Sequence, residues 1–149
     1  MESGFLGQFK DLGAIMALAF SAIGSGLGSY AAGMAAIGSW KRNFLQNKPV
    51  SFMLVAFVGA PLTQTIYGMI IMNRIAQSAA SGHYLWGIGA FSGLAMGVSA
   101  YGQGKCAACA SDALGETQKG FANYIVVLGI IETVALFVMV FSLGMIGKL

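Results

Sequence analysis

A single carboxylate, Glu132, lies in the middle of a long apolar run and is the residue of this chain best suited to ion chemistry. Between Gly120 and Gly147 it is the only charged residue. About 20 apolar residues cross the hydrocarbon core of a bilayer, and at about 1.5 Å per residue Glu132 lies roughly 17 Å from Phe121. A carboxylate at this depth costs at least about 2.5 kcal/mol, so it indicates a functional site. The alternative is a protonated carboxyl group that holds helices together by hydrogen bonding.

Four other polar residues are expected at the same depth as Glu132. Thr63, Gln64 and Tyr67 lie close together in a second apolar segment, and Gln103 lies in a third. Hydroxyl, amide and carboxylate oxygens suit a small hard cation, whereas neutral donors around the carboxylate are enough for a proton site. One carboxylate neutralises one monovalent ion, which favours Na⁺ or H⁺ over Ca²⁺. The alternative is that these side chains only form hydrogen bonds between helices, worth about 0.6 kcal/mol each.

The proline in the second segment bears on the same site. Pro61 cannot donate to the carbonyl of Phe57, four residues earlier, so it kinks the helix and loosens carbonyl groups that can then become ligands. Two further patterns are weaker. The glycines around Gly24–Gly28 lie inside a long helix, where a nucleotide-binding loop is not expected. Cys106 and Cys109 form a CxxC that suggests redox chemistry, but a second thiol pair is missing.

The composition predicts an all-α membrane protein with a single domain over residues 1–149. Of these residues 57% are hydrophobic and only 9% are charged, against about 25% in soluble domains. The 22 glycines and 2 prolines suit helices that pack very closely in lipid. The net charge of +3 sits mostly in one short loop, so it indicates orientation and no nucleic-acid partner. The first apolar stretch is too long for a signal peptide and is interpreted as a membrane helix.

Four transmembrane helices are predicted, in two hairpins that cover residues 12–77 and 84–147. Their approximate limits are 12–39, 50–71, 84–110 and 121–146, and the short loops make consecutive helices antiparallel. The loop 41–49 contains Lys41, Arg42 and Lys48, so the positive-inside rule places it in the cytoplasm together with the loop 111–120. Both termini are then outside.

The two hairpins resemble each other, which predicts an internal duplication. With an offset of 71, Ala19-Phe20-Ser21 matches Ala90-Phe91-Ser92, and with an offset of 68, Gln64-Thr65 matches Glu132-Thr133. The first hairpin therefore has an amide where the second has a carboxylate, which leaves one ionisable site per four helices. Small residues every fourth position, such as Gly24 and Gly28 in the first helix and Gly93 and Gly97 in the third, predict that these two helices pack tightly together.

Three motifs together make the chain resemble the four-helix proteolipid (K or c) rotor-ring protein of bacterial V-type ATPases. These are Pro61-x-Thr63-Gln64-x-x-Tyr67-Gly68, Gln103-Gly104-Lys105 and Glu132-Thr133. The resemblance covers nearly the whole chain. It implies a homo-oligomeric rotor ring of identical subunits in the bacterial inner membrane, surrounded by lipid. It also implies a stator membrane subunit with an essential arginine, a central-stalk subunit, and ATP hydrolysis in a separate soluble head, so the ring protein itself is not catalytic.

The resemblance further implies a set of ion ligands, because the motifs match those of sodium-pumping members. Na⁺ would be bound by the Thr63 hydroxyl, the Gln64 and Gln103 amide oxygens, the Glu132 carboxylate and the Ala60 carbonyl, and Tyr67 would hold the carboxylate by a hydrogen bond. No organic cofactor is implied, and Na⁺ or H⁺ is the transported ion. The sequence departs from these members at Ala60, which replaces a larger residue, and at Thr65, which replaces glycine.

Three other functions are compatible with the same residues. The first is the same ring carrying H⁺ instead of Na⁺. The second is a small four-helix cation or drug antiporter with one membrane carboxylate, although such proteins usually lack an internal duplication. The third is a structural membrane protein in which the polar residues only hold helices together. A large ring that resists SDS favours the rotor, whereas a dimer favours the antiporter.

Overall fold

The chain forms four helical rods joined by short turns. The structure is a computed structural model that describes residues 7 and 9–149, and within them the regular elements are all helical. The second rod contains a short 3₁₀ turn between two α-helices. The elements are α1 (Leu12–Leu45), α2 (Leu54–Gly59), the 3₁₀ turn (Ala60–Leu62), α3 (Thr63–Ala80), α4 (Trp86–Thr117) and α5 (Phe121–Ile146).

The fourth helix has the predicted limits, but three predicted helix ends are wrong, because charged and polar residues that were interpreted as loop continue the helices. The loop 41–49 is helical as far as Leu45, and most of the loop 111–120 belongs to α4, which ends at Thr117. The second rod likewise continues past residue 71 to Ala80. The remaining connections are 46–53, 81–85 and 118–120, so the helical hairpins extend over 12–80 and 86–146.

Side-chain contacts between α1 and α4 explain why these two helices continue through polar residues. Arg42 on α1 forms ion pairs with Asp112 at 3.0 Å and with Glu116 at 2.8 Å, both on α4. The buried Asn43 side chain donates to the Gly115 carbonyl at 2.9 Å. The polar residues at this end are thus bound to the neighbouring helix instead of being released into a loop.

Helices α1 and α4 approach each other very closely, as the small-residue stripes predicted. A Cβ atom built on any of seven glycines of these helices would come closer than 3.0 Å to backbone atoms of the other helix or of the turn that precedes it. Such contacts leave no room for any side chain, so the backbones of α1 and α4 touch over residues 13–28 of α1 and 89–104 of α4. The seven are Gly13, Gly24, Gly28, Gly89, Gly93, Gly97 and Gly104.

Three of the four rods are long and apolar enough to cross a membrane. These are α1, the whole second rod (Leu54–Ala80) and α5. The remaining helix, α4, has 32 residues but is rich in glycine, alanine and serine, which contribute little hydropathy. The chain is therefore a membrane protein with spanning helices, and the fourth span stays a prediction. Large apolar side chains face outward, for example Phe91 (74% exposed) and Phe141 (68% exposed), which suits a surface covered by lipid or by other subunits.

Candidate ion-binding site

The site begins at the 3₁₀ turn in the second rod. Pro61 is buried and has no N–H, so the regular α-helical hydrogen-bonding pattern is interrupted where Ala60–Leu62 tightens into a 3₁₀ turn. Immediately after the turn, the Thr63 hydroxyl lies 3.2 Å from the Ala60 carbonyl oxygen and donates to it. The Ala60 oxygen, implied by resemblance and not by the proline argument, therefore lies beside a second predicted ligand.

Two fully buried amides connect the second rod to α4. The Gln64 amide nitrogen donates to the Gln103 amide oxygen at 2.8 Å, and the Gln64 oxygen lies 3.1 Å from the Thr63 hydroxyl as the other acceptor within reach of its single proton. Both glutamine side chains have 0% exposure. Because buried polar groups are destabilising unless they are hydrogen-bonded, two adjacent buried amides require a connected network of partners. Thr63 on one side and the Glu132 carboxylate on the other extend this network.

The carboxylate of Glu132 accepts hydrogen bonds from two other helices. The Tyr67 hydroxyl on α3 donates to Oε1 at 2.7 Å, and the Gln103 amide nitrogen on α4 lies 3.4 Å from Oε2. The same Gln103 nitrogen also donates to the Leu128 carbonyl on α5 at 3.0 Å. Glu132 itself is half-buried, so one side of the carboxylate is held by the protein and the other is near the outer surface.

All six residues predicted for the site, Ala60, Thr63, Gln64, Tyr67, Gln103 and Glu132, belong to one continuous hydrogen-bonded chain. Residues predicted to lie elsewhere do so. The Lys105 side chain is exposed, Cys106 and Cys109 are free thiols that are half-buried and exposed respectively, and His83 lies in an exposed turn. The CxxC motif thus lies outside this network.

The charge of Glu132 is not balanced by any basic side chain in the described part of the chain. Both ion pairs found there involve Arg42, at the end of the molecule where the helices meet the turns 46–53 and 118–120. An ionised carboxylate within a membrane is stable only when a counter-charge or a proton neutralises it. Within the described residues, the Glu132 carboxylate therefore has no counter-charge.

The oxygen atoms of the second rod are spaced as neighbouring ligands of a cation would be. The Thr63 hydroxyl oxygen lies 3.2 Å from the Ala60 oxygen and 3.1 Å from the Gln64 oxygen. Oxygens about 3 Å apart can share one hard cation, whose oxygen ligands lie at about 2.3–2.6 Å in the case of Ca²⁺. A half-turn of either glutamine amide exchanges its nitrogen and oxygen with little change in shape, so Gln64 and Gln103 can each present an oxygen.

Sequence reasoning missed several groups around the site. The Leu128 carbonyl accepts from Gln103, and the Ser99 hydroxyl donates to the Ile131 carbonyl at 3.0 Å, so two hydrogen bonds join α4 to α5 within the turn that precedes Glu132. Backbone carbonyls have no signature in a sequence, so neither acceptor was predictable. Ser99 was recognisable only as one of many small residues on α4.

These observations define a class of protein: a helical membrane protein in which hydroxyl and amide groups surround one mid-helix carboxylate. Residues 86–145 match the family model that describes the C subunit of ATP synthase. The match includes nearly all of α4 and α5, with Gln103 and Glu132, and supports a proteolipid of the ATP synthase/V-ATPase rotor-ring family. Proteins of that family translocate ions in an oligomeric ring with other ATPase subunits and are not catalytic themselves. No curated protein matches the chain.

Proposed function

We propose that the chain is the rotor-ring proteolipid of a bacterial V-type ATPase and that each copy in the ring carries one Na⁺ on Glu132. The observation that carries this proposal is the buried amide pair. Gln64 and Gln103 have 0% exposure and connect the Thr63 and Ala60 oxygens to the Glu132 carboxylate. A proton needs only the carboxylate and a donor such as Tyr67, whereas a cation needs several neutral oxygens, which the two amides can supply.

The transport cycle follows from the charge of the site. With Na⁺ bound, the carboxylate is neutralised and the ring can rotate past lipid without exposing a charge. Without the ion, Glu132 needs another cation, and an arginine of the stator would provide it between two half-channels. ATP hydrolysis in a soluble head, transmitted by a central stalk, would drive the rotation. One carboxylate per four helices lowers the number of ions moved per turn of a given ring, which favours pumping over ATP synthesis.

The orientation is proposed from the distribution of basic residues. Lys41, Arg42, Lys48 and Lys119 lie at the end of the molecule that contains the turns 46–53 and 118–120. The positive-inside rule places this end in the cytoplasm of a multi-pass inner-membrane protein with both termini outside. The same end would face the central stalk.

A proton-carrying ring is the second candidate, and two contacts favour it. The Tyr67 hydroxyl, 2.7 Å from Glu132, and the Gln103 amide already supply both carboxylate oxygens with donors. In this case the amide pair would serve only to hold α3 against α4. The small antiporter is less favoured, because the match to the ATP synthase proteolipid family indicates a ring.

Chemical modification of Glu132 in native membranes tests the choice between Na⁺ and H⁺. A carbodiimide reacts with protonated carboxyl groups in apolar surroundings, and a bound Na⁺ excludes the proton from the carboxylate. We therefore expect millimolar Na⁺ to slow the labelling of Glu132 severalfold, with the adduct mapped by mass spectrometry. K⁺ at the same concentration is the control for ionic strength.

The other outcomes are equally informative. Labelling that is indifferent to Na⁺ at several pH values would mean a proton ring and would leave Gln64 and Gln103 with packing roles. Failure to label Glu132 under any condition would contradict the rotor function itself. A dimer instead of a large SDS-resistant ring would favour the antiporter.

Removing either amide should weaken Na⁺ binding more than proton binding. Gln64→Ile and Gln103→Ala each delete one proposed oxygen ligand and leave the carboxylate and Tyr67 in place. We expect the Na⁺ concentration that half-protects Glu132 to rise at least about tenfold, the effect of losing roughly 1.4 kcal/mol of charge-assisted contact. The Gln64 amide makes no hydrogen bond to Glu132, so labelling of Gln64→Ile without Na⁺ should retain the pH dependence of the parent.

Thr133→Val is the matched control for these variants. Thr133 is exposed, lies next to Glu132, and donates only to the Ile130 carbonyl of its own helix at 2.6 Å. In this variant, Na⁺ should half-protect Glu132 from labelling at the same concentration as in the parent. An equal loss of Na⁺ and proton binding in the glutamine variants would instead indicate that both amides only pack the helices.

A further inference from the structure

Helix α1 has three buried, unpaired hydroxyl groups that the site described above does not use, and two of them, Ser25 and Ser29, lie one turn apart near its middle. The Ser25 and Ser29 hydroxyl oxygens are shielded from solvent, and neither makes a hydrogen bond within the described part of the chain. Ser21, one turn earlier, behaves differently and donates to the Ala17 carbonyl of its own helix at 2.9 Å. Ser25 is more buried than Ser29, at 1% exposure. An unpaired hydroxyl at such a position needs an explanation.

The packing of α1 against the second rod shows which residues face each other. A Cβ built on Gly28 would lie 3.0 Å from the Cβ of Pro61. One built on Gly68 would collide with the Ser21 side chain. The two rods run in opposite directions, so residue numbers rise along one as they fall along the other. Gly28 with Pro61 and Ser21 with Gly68 therefore fit the same antiparallel alignment of the two rods.

Counting from either pair places Ser25 directly opposite Gln64. The Gln64 amide has two N–H groups, of which one donates to the Gln103 oxygen at 2.8 Å. Its other N–H takes part in no hydrogen bond between described residues. A buried donor with unused capacity and a buried hydroxyl without a partner thus occupy the same level of adjacent helices.

Cation binding makes this pairing necessary. The Gln64 oxygen already lies 3.1 Å from the Thr63 hydroxyl oxygen, so only the Gln103 oxygen has to turn to the ion. The Gln103 oxygen then no longer accepts from Gln64, and the Gln64 NH₂ group loses its only partner. That group has 0% exposure and cannot turn to water. An acceptor on its far side removes this penalty, and the Ser25 hydroxyl oxygen has two free lone pairs.

We propose that Ser25 is a positioning residue of the ion site, which accepts an N–H of Gln64 when the Gln64 oxygen faces the cation. The inference rests on the proposed Na⁺ function and adds a group from α1 to a site otherwise built from the other three rods. Ser25 does not touch the ion; it stabilises the amide orientation that binds Na⁺. Its contribution is therefore specific to Na⁺ and absent from protonation of Glu132.

The test compares two Ser25 variants in the assembled complex in membranes, with carbodiimide labelling of Glu132 as the readout. Ser25→Ala removes the acceptor, and Ser25→Cys keeps the shape but offers only a weak one. In both, we expect the Na⁺ concentration for half-protection to rise about tenfold, as for one unsatisfied buried donor. The pH profile of labelling without Na⁺ should be unchanged. The two variants together keep the test valid if one of them assembles poorly.

Ser39→Ala is the matched control. Ser39 is also on α1, also buried (2% exposed) and also unpaired, but it lies about 21 Å along the helix from Ser25. In Ser39→Ala, the Na⁺ concentration that half-protects Glu132 from labelling should equal that of the parent. If the parent is protected by Na⁺ and both Ser25 variants match it, the positioning role is overturned. A shifted pH profile without Na⁺ would overturn it too, in favour of simple packing. Absence of Na⁺ protection in the parent would instead overturn the Na⁺ function on which it rests.

Discussion

Replacement of Glu132 by glutamine should abolish ion transport while leaving the ring assembled. Glutamine has the size of glutamate, and its oxygen can still accept the hydrogen bond that Tyr67 donates at 2.7 Å. It cannot release or bind a charge, so the site would remain permanently in a neutral state and could not exchange its ion for the stator arginine. We expect Na⁺ uptake into inverted vesicles to fall below detection, and an SDS-resistant oligomer to remain.

Glu116→Gln is the control for loss of a carboxylate. Glu116 is also on a helix and also accepts a hydrogen bond, from Arg42 at 2.8 Å, but its side chain is 58% exposed at the end of the molecule. Exposed ion pairs contribute about 0–1 kcal/mol, so this variant should assemble and transport as the parent does. A Glu132→Gln variant that still pumps would contradict the assignment of the ion to this residue.

The helix ends show how far the sequence alone could predict the fold. The limits of α5 agree with the prediction, because an apolar run between glycines marks both ends. The ends of α1 and α4 were wrong, since Arg42 and its two partners look like loop residues when each is considered alone. These residues are helical because the Arg42 side chain binds Asp112, which follows it by 70 residues in the sequence. A local pattern contains no information about such a contact.

The candidate site was predictable to a similar degree. Residue types and helical spacing brought Thr63, Gln64, Gln103 and Glu132 to one depth, and the structure joins them in one network. The partners that close the network were not predictable from composition or spacing, because they are backbone carbonyls or small residues. The Leu128 carbonyl is one example, and the unpaired Ser25 hydroxyl is another.

Adding a single methyl group between α1 and α4 should greatly lower the stability of the ring. A Cβ at Gly104 would overlap the backbone of Gly28, and backbone atoms cannot rotate away as a side chain can. The two helices would have to separate over several turns, because their other glycines touch in the same way. Overpacking of this kind costs about 1–3 kcal/mol or more. For Gly104→Ala we expect a clearly lower thermal stability of the detergent-solubilised ring, or no ring.

Gly102→Ala distinguishes this packing effect from a change in helix propensity. Both substitutions lie in α4 and both gain up to about 1 kcal/mol of intrinsic helix propensity. At Gly102, however, a Cβ would meet no atom of the chain within 4 Å. The two substitutions should therefore have different effects on the thermal stability of the ring. Gly102→Ala should leave it unchanged or raise it slightly, whereas Gly104→Ala should lower it strongly. Equal thermal stability of the two rings would show that α1 and α4 can separate freely. The close backbone contact would then not be what fixes the position of Gln103 beside the carboxylate.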